Sequence, residues 1–107
     1  PADVLRLLRD HPGTLLVAVP EGAVIGTVIA AWDGWRGTIY RLAVLQEHRR
    51  RGIARALVEE AVRRLGAAGA KRITALVEGD HPWALAFWDA AGFHRHSGML
   101  RYFKNLP

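Results

Sequence analysis

With 107 residues and no cysteine, the chain has room for one hydrophobic core and excludes both a disulfide framework and a thiol nucleophile. Half of its residues are hydrophobic, yet no apolar run nears the ~20 residues that a membrane helix requires, so a soluble cytoplasmic protein with no membrane partner is expected. The net charge of +5 favours anionic partners, although 13 of the 15 basic residues are arginine, a bias that GC-rich coding produces without any function.

A single domain over residues 1–107 is expected, without repeats or low-complexity tracts. The chain opens on Pro1 rather than Met, so residues are expected upstream. Asp3 to Arg9 places Val4, Leu5, Leu7 and Leu8 on a helical stripe, which His11-Pro12-Gly13 ends. TLLVAV (14–19) and AVIGTVIAAW (23–32) then read as strands joined at Pro20-Glu21-Gly22, and Gly26 within the second predicts a bulge or a close backbone approach. DGWRG (33–37) is a second turn, and TIYRLAV (38–44) completes an antiparallel meander. Trp32 and Trp35 beside that turn suit either the rim of a binding pocket or a dimer contact.

The most informative stretch is LAVLQEHRRRGIA (42–54). An apolar strand end, three arginines and a glycine lead into an amphipathic helix predicted from about Arg51 to Leu65, with Ile53, Leu57, Val58, Ala61, Val62 and Leu65 on one face. A helix start leaves about four backbone N–H groups without intrahelical partners and carries about half a positive charge. Anions dock there. Gly52 allows close approach and a positive φ, and Arg49, Arg50 and Arg51 add forked donors suited to phosphate oxygens. The implied ligand is a di- or polyphosphate.

The helix's outer face offers the pairs Glu59–Arg63 and Glu60–Arg64, with Gly66 and Gly69 as its stop. RITALVE (72–78) comes next as a strand, and strand, helix and strand with short links imply a right-handed parallel crossover. PWALAFWDAA (82–91) reads as a second helix, and one or two last strands are expected around Phe93–Arg95 and Gly98–Phe103.

At the arginine loop the sequence resembles the GNAT superfamily of N-acetyltransferases. Arg49, Gly52 and Ala54 fill the places of that family's pyrophosphate motif, Arg or Gln, two residues, Gly, one residue, Gly or Ala. A second motif of the family resembles His81 to Phe93, where Ala84, Phe87, Gly92 and Phe93 fit, His81 stands in place of Asn and Trp88 in place of Tyr. The resemblance covers roughly residues 14–106. It implies an α/β (α+β) acyl-CoA N-acyltransferase fold: a mixed, mostly antiparallel central sheet with a β-α-β crossover, lacking the family's first strand and first helix.

The resemblance further implies acetyl-CoA as co-substrate, lying where the third strand splays from the strand after the helix. Pantetheine would pair near Leu42, Ala43 and Val44, and pyrophosphate would rest on N–H groups from Arg50 to Ala54, Ile53 included, with His81, Ala84 and Trp88 adding to the cofactor site. An amine, on a small molecule or on a protein or peptide, attacks the thioester directly. Val44 N–H is the expected carbonyl donor. Glu78 is the leading base, with Asp80, His81 and Asp33 behind it, and Trp88 stands at the position of the acid. Because an indole is too weak an acid, His81, Tyr102 or water must supply the proton. Trp88 serves core packing as readily.

No metal is expected, since the five histidines lack ligand spacing. A P-loop is excluded because no Gly-Lys-Ser/Thr comes after the glycine, and a three-glycine dinucleotide turn is missing. The rival readings are a CoA-binding domain without catalysis and a basic module that binds nucleic acid through the arginines, the latter disfavoured. Without a first strand, TLLVAV would be an open sheet edge, from which a homodimer is expected.

Overall fold

The computed structural model describes residues 5–9, 13–19, 22–49, 52–77 and 82–107. Their contacts fall into two compact units, residues 1–77 and 78–107.

In the larger unit, strands β1 (Leu5–Arg9), β2 (Gly13–Ala18), β3 (Gly26–Trp32) and β4 (Gly37–Val44) succeed one another antiparallel. Helix α1 (Ile53–Ala68) then crosses over, and β5 (Ile73–Ala75) runs parallel to β4, giving the sheet order β1-β2-β3-β4-β5. This is the mixed sheet with a β-α-β crossover that the sequence predicts.

Alternation explains the layering, because successive side chains of a strand face opposite sides. In β3, Gly26, Val28 and Ala30 are buried while Thr27, Ile29 and Ala31 are half-buried. Register sets Leu16 beside Val28 and Ala30 beside Ile39, and α1 packs across β2, β3 and β4. Leu16, Val28, Ile39 and Leu57 are the largest fully buried side chains, with Ala61 and Leu65 continuing the stripe along α1.

Three expectations change in this unit. Residues 5–9 form a strand, not a helix, with Leu5 opposite Ala18 and Arg9 opposite Thr14. The apolar residues of so short a run fit either period, and β2 offers an edge whose backbone groups β1 satisfies. TLLVAV therefore lies inside the sheet, and the open edge that argues for a homodimer is covered. Second, α1 runs through Gly66 and ends only where the N–H groups of Gly69 and Ala70 donate to Gly66 O and Leu65 O. Third, one of the two expected ion pairs changes: Glu60–Arg64 forms as expected, at 2.7 Å, with Arg63 joining it on Glu60, whereas Glu59 pairs with Arg55 at 3.4 Å instead of Arg63.

In the smaller unit, α2 (Pro82–Ala90) is closed by bonds from Ala91, Gly92 and Phe93 N–H to Phe87, Asp89 and Trp88 carbonyls. Ala84 and Trp88 are its buried residues. No strand forms over 93–95 or 98–103, because no neighbouring strand pairs with them, and Met99, Leu100, Tyr102 and Phe103 are exposed. Among the described residues no helix is long and apolar enough to cross a membrane.

Candidate functional site

The site begins with a fault in β4. Ile29 pairs with Tyr40 and Thr27 with Ala43, so Val28 faces two residues, Arg41 and Leu42. Such a bulge bends a strand and re-aims the residues beyond it. Arg41 takes φ 54°, an unusual conformation for a residue with a side chain, so the bend is held against local strain.

Beyond the bulge, β4 and β5 part. Their ladder covers only Gly37 to Ile39, and the last bond runs from Leu76 N–H to Ile39 O at 2.9 Å. From Tyr40 onward β4 has no ladder to β5 among the described residues. Geometry then sets the direction of the free groups. Leu45 N–H donates to Ile25 O at 2.8 Å, so the adjacent Val44 turns its N–H and C=O away from β3, toward the side β5 has left. Val44 O accepts from Arg49 Nε at 3.2 Å, which fastens the arginine loop to the strand end.

The start of α1 is held against the same strand end. A Cβ on Gly26 would lie 3.1 Å from Ile53 Cγ2 and 3.3 Å from Ala43 O, so the missing side chain is what lets the helix start reach β3 and β4 there. Gly52 caps α1 with φ 77°, and among the described residues no atom beyond its chain neighbours lies within 4 Å of its Cβ position. Among the described residues no side chain caps the helix, and no acidic residue lies in its first turn. The first intrahelical bond is Ala56 N–H to Gly52 O, so the helix offers no acceptor to the N–H groups of Ile53, Ala54 and Arg55. The residues present therefore fit a ligand carrying a phosphate group: no described atom crowding the Cβ position of Gly52, helix N–H groups without an intrahelical acceptor and no acidic residue in the first turn. A shallow, mostly apolar depression of about 170 Å³ lies alongside, lined by Val24, Ile25, Gly26, Thr27, Ala43, Val44 and Leu45.

The structure thus brings Ala43, Val44, Arg49, Gly52 and Ile53 together, with Leu42 in the bulge and Ala54 in the first turn of α1. Arg50, Arg51, Glu78, Asp80 and His81 lie outside the described residues. In the smaller unit Trp88 is buried, edge-on to Phe87 and Phe93 with centroids 5.3 and 4.9 Å away, which is a packing role. Ala84 is buried one turn earlier and Tyr102 is 89% exposed. Asp33 does not belong to the site. It lies beyond the first residue of β4, at the opposite end from Val44, and its Oδ1 accepts N–H from Trp35 and Arg36. Those bonds, Arg36 first, hold its carboxyl below the usual range, the wrong direction for a base at neutral pH. Trp32 and Trp35 share that end, so the topology sets them away from an acceptor approaching Val44.

Sequence reading missed the bulge, although a signal exists: the apolar positions Ile39, Leu42 and Val44 change phase at Arg41. Among the described residues no cluster of metal-ligating side chains occurs.

Known proteins share this outline. The profile of the acetyltransferase (GNAT) family matches residues 1–93. An acetyltransferase of Sodalis glossinidius (strain morsitans) is 33% identical over 104 residues, which span 97% of this chain and 73% of the relative. A transcriptional regulator from Bacillus halodurans has a similar structure, with a TM-score of 0.76 and 25% identity over 89% of this chain and 69% of that one. The aminoglycoside N-acetyltransferase AAC(6')-Iy in complex with CoA shares the fold at a TM-score of 0.74 and 20% identity, over 92% of this chain and 79% of that one.

Proposed function

The chain belongs to the GNAT family of acetyltransferases, and on that premise we propose that it moves the acetyl group of acetyl-CoA onto a primary amine by direct attack on the thioester. Acetyl-CoA is the co-substrate of enzymes of this family. The observation that carries the reading is the coincidence at one strand end of Val44 N–H, turned to the side β5 has left, and an uncapped helix start.

In this reading the N–H groups of Gly52, Ile53 and Ala54, with Arg49, Arg50 and Arg51, hold the pyrophosphate. The backbone at Leu42, Ala43 and Val44 pairs with the pantetheine arm. The amine lone pair forms a bond to the thioester carbon, Val44 N–H takes up the charge developing on its oxygen, and the C–S bond breaks. The amine loses a proton to Glu78, directly or through water. The departing thiolate gains one from His81, Tyr102 or water. No protein-bound intermediate is required, which accords with a chain lacking cysteine. Similarity to aminoglycoside acetyltransferases supports a small-molecule amine as acceptor. A cytoplasmic setting, where acetyl-CoA is at hand, belongs to the same proposal.

The test has two arms. Acetyl-CoA at about a hundred times its Kd stabilises a native state by ~2.7 kcal/mol, so it should raise the melting temperature where ATP at the same concentration does not. Thiol release from acetyl-CoA should then appear with some member of a panel of aminoglycosides, polyamines and peptides. A melting shift without turnover on any amine would leave a CoA-binding domain and overturn the catalytic reading.

A further inference from the structure

At the end of the sheet opposite Val44, the turn between β3 and β4 carries an exposed aromatic among cations. Asp33 Oδ1 accepts the N–H groups of Trp35 and Arg36 at 2.8 and 2.6 Å, and Asp33 N–H donates to Arg36 O at 3.3 Å. The tip is therefore fixed by its own backbone. Trp35 stands on it 79% exposed, with the Arg36 guanidinium 5.4 Å from the ring centroid. At the base, Trp32 is anchored against α1, its Cζ2 3.8 Å from where a Gly69 Cβ would stand.

The parallel ladder brings in two further cations. The ladder starts at Gly37 and Ile73, so Arg36 immediately precedes one of these paired residues and Lys71-Arg72 the other, all three exposed. Against them the turn holds one carboxylate, Asp33, already engaged by two N–H groups. A large ring kept in water on a rigid tip beside cations is a good stacking platform. With Arg36 over one face, the other remains for a planar partner. Flanking cations suit phosphates. A run of carboxylates alone would satisfy the cations but leave the ring without a stacking partner, and a duplex keeps its bases stacked inside.

We propose that this tip binds single-stranded nucleic acid, with Trp35 stacking on a base while Arg36, Lys71 and Arg72 contact the neighbouring phosphates. The surface is separate from the arginine loop at α1, and the proposal does not rest on acetyl transfer.

The test is fluorescence anisotropy with short labelled oligodeoxythymidylate and oligouridylate, for wild type, Trp35→Ala, Trp35→Phe and Arg72→Gln, with and without saturating acetyl-CoA. At least one of the two oligonucleotides should bind. Trp35→Ala should weaken binding about tenfold or more, and Trp35→Phe should recover part of the loss. The slope of log affinity against log salt should be roughly −2 for three phosphate contacts, and shallower by about 0.7 in Arg72→Gln. Acetyl-CoA should leave the affinity unchanged. Equal binding by Trp35→Ala, displacement by acetyl-CoA, tighter binding of a polyglutamate peptide, or no binding of either oligonucleotide would each overturn the proposal.

Discussion

Ile53, the first residue of α1, packs against Gly26 of β3 so closely that a Cβ on the glycine would stand 3.1 Å from the isoleucine Cγ2. The same point is 3.3 Å from Ala43 O, so one absent side chain sets how near the helix start comes to the end of β4. Gly26→Val should cost about 1–3 kcal/mol through overpacking. At about 4–8 °C per kcal/mol for a domain of this size, thermal denaturation would show it. It should also weaken acetyl-CoA binding by calorimetry, because α1 is pushed from Val44. An unchanged affinity would separate the helix position from the cofactor site.

Gly52 tests the phosphate contact more directly. Its φ of 77° disfavours any other residue, and among the described residues no atom beyond its chain neighbours lies within 4 Å of its Cβ position to resist a side chain. Gly52→Val should therefore cost about 1–2 kcal/mol of stability through backbone strain alone. Its larger effect should be on acetyl-CoA, whose pyrophosphate needs the space a branched side chain would fill. Calorimetry on the folded variant should show affinity reduced beyond measurement, and an affinity equal to wild type would refute the assignment.

Arg41 offers a test of the bulge. A residue with φ 54° is relieved by glycine and strained further by a β-branched side chain. Arg41→Gly is expected to gain up to about 1 kcal/mol and Arg41→Val to lose about 1–2 kcal/mol in urea denaturation. Activity should track the bulge, so Arg41→Gly should retain turnover.

How much of the fold and the site is legible in the sequence depends on the reach of each signal. The stripe Leu57, Ala61, Leu65 spans more than two turns and admits only a helix, and the meander is announced in the sequence by the turn signals Pro20-Glu21-Gly22 and DGWRG (33–37). Residues 5–9 are too few to separate a period of 3.6 from one of 2, and the neighbouring edge of β2 decides them. The reverse holds for 98–103, whose apolar residues invite a strand that no neighbour pairs. Local motifs draw attention to Val44, Arg49 and Gly52, but nothing local says that Asp33 and Trp35 lie at the far end of the sheet. That is a consequence of strand direction.

Glu60 links α1 to pH. The hydrogen bond from Arg63, together with the weaker one from Arg64, lowers its pKa against the opposing effect of partial burial. A carboxylate whose pKa is depressed in the folded state contributes stability that is fully present above the ordinary glutamate value, about 4.3, and is lost as pH falls below it through the folded value. Both arginines are at least one-third exposed, so the contribution is expected to be modest, about 0.5–1 kcal/mol. Glu60→Gln should lower stability by that amount at pH 7 and by nothing near pH ~2, measured by urea denaturation. A loss of equal size at both pH values would assign the effect to packing rather than charge.

In the proposed reading Trp88 stands where the resembled motif has a tyrosine, which makes it the place to test the proton donor. Its ring is buried and lies edge-on to both Phe87 and Phe93, so Trp88→Ala should cost about 3–5 kcal/mol, and Trp88→Tyr less because an aromatic ring still fills most of the space. Turnover should respond differently. An indole N–H cannot protonate a thiolate near neutral pH, whereas a phenol at the same place is a competent acid, and positioned acids contribute about a hundredfold or more when proton transfer limits the rate. A CoA thiol with an ordinary pKa near 8.5 leaves as a thiolate without much help, so the gain on Trp88→Tyr is expected to stay below about tenfold. The assay is thiol release from acetyl-CoA with a fixed amine, read for wild type, Trp88→Tyr and His81→Ala, with CoA affinity measured in parallel. If His81 supplies the proton, His81→Ala lowers turnover and combining it with Trp88→Tyr restores it. Loss of turnover in Trp88→Tyr with CoA affinity intact would show that the indole does more than pack, and would remove the phenol from any account of the proton.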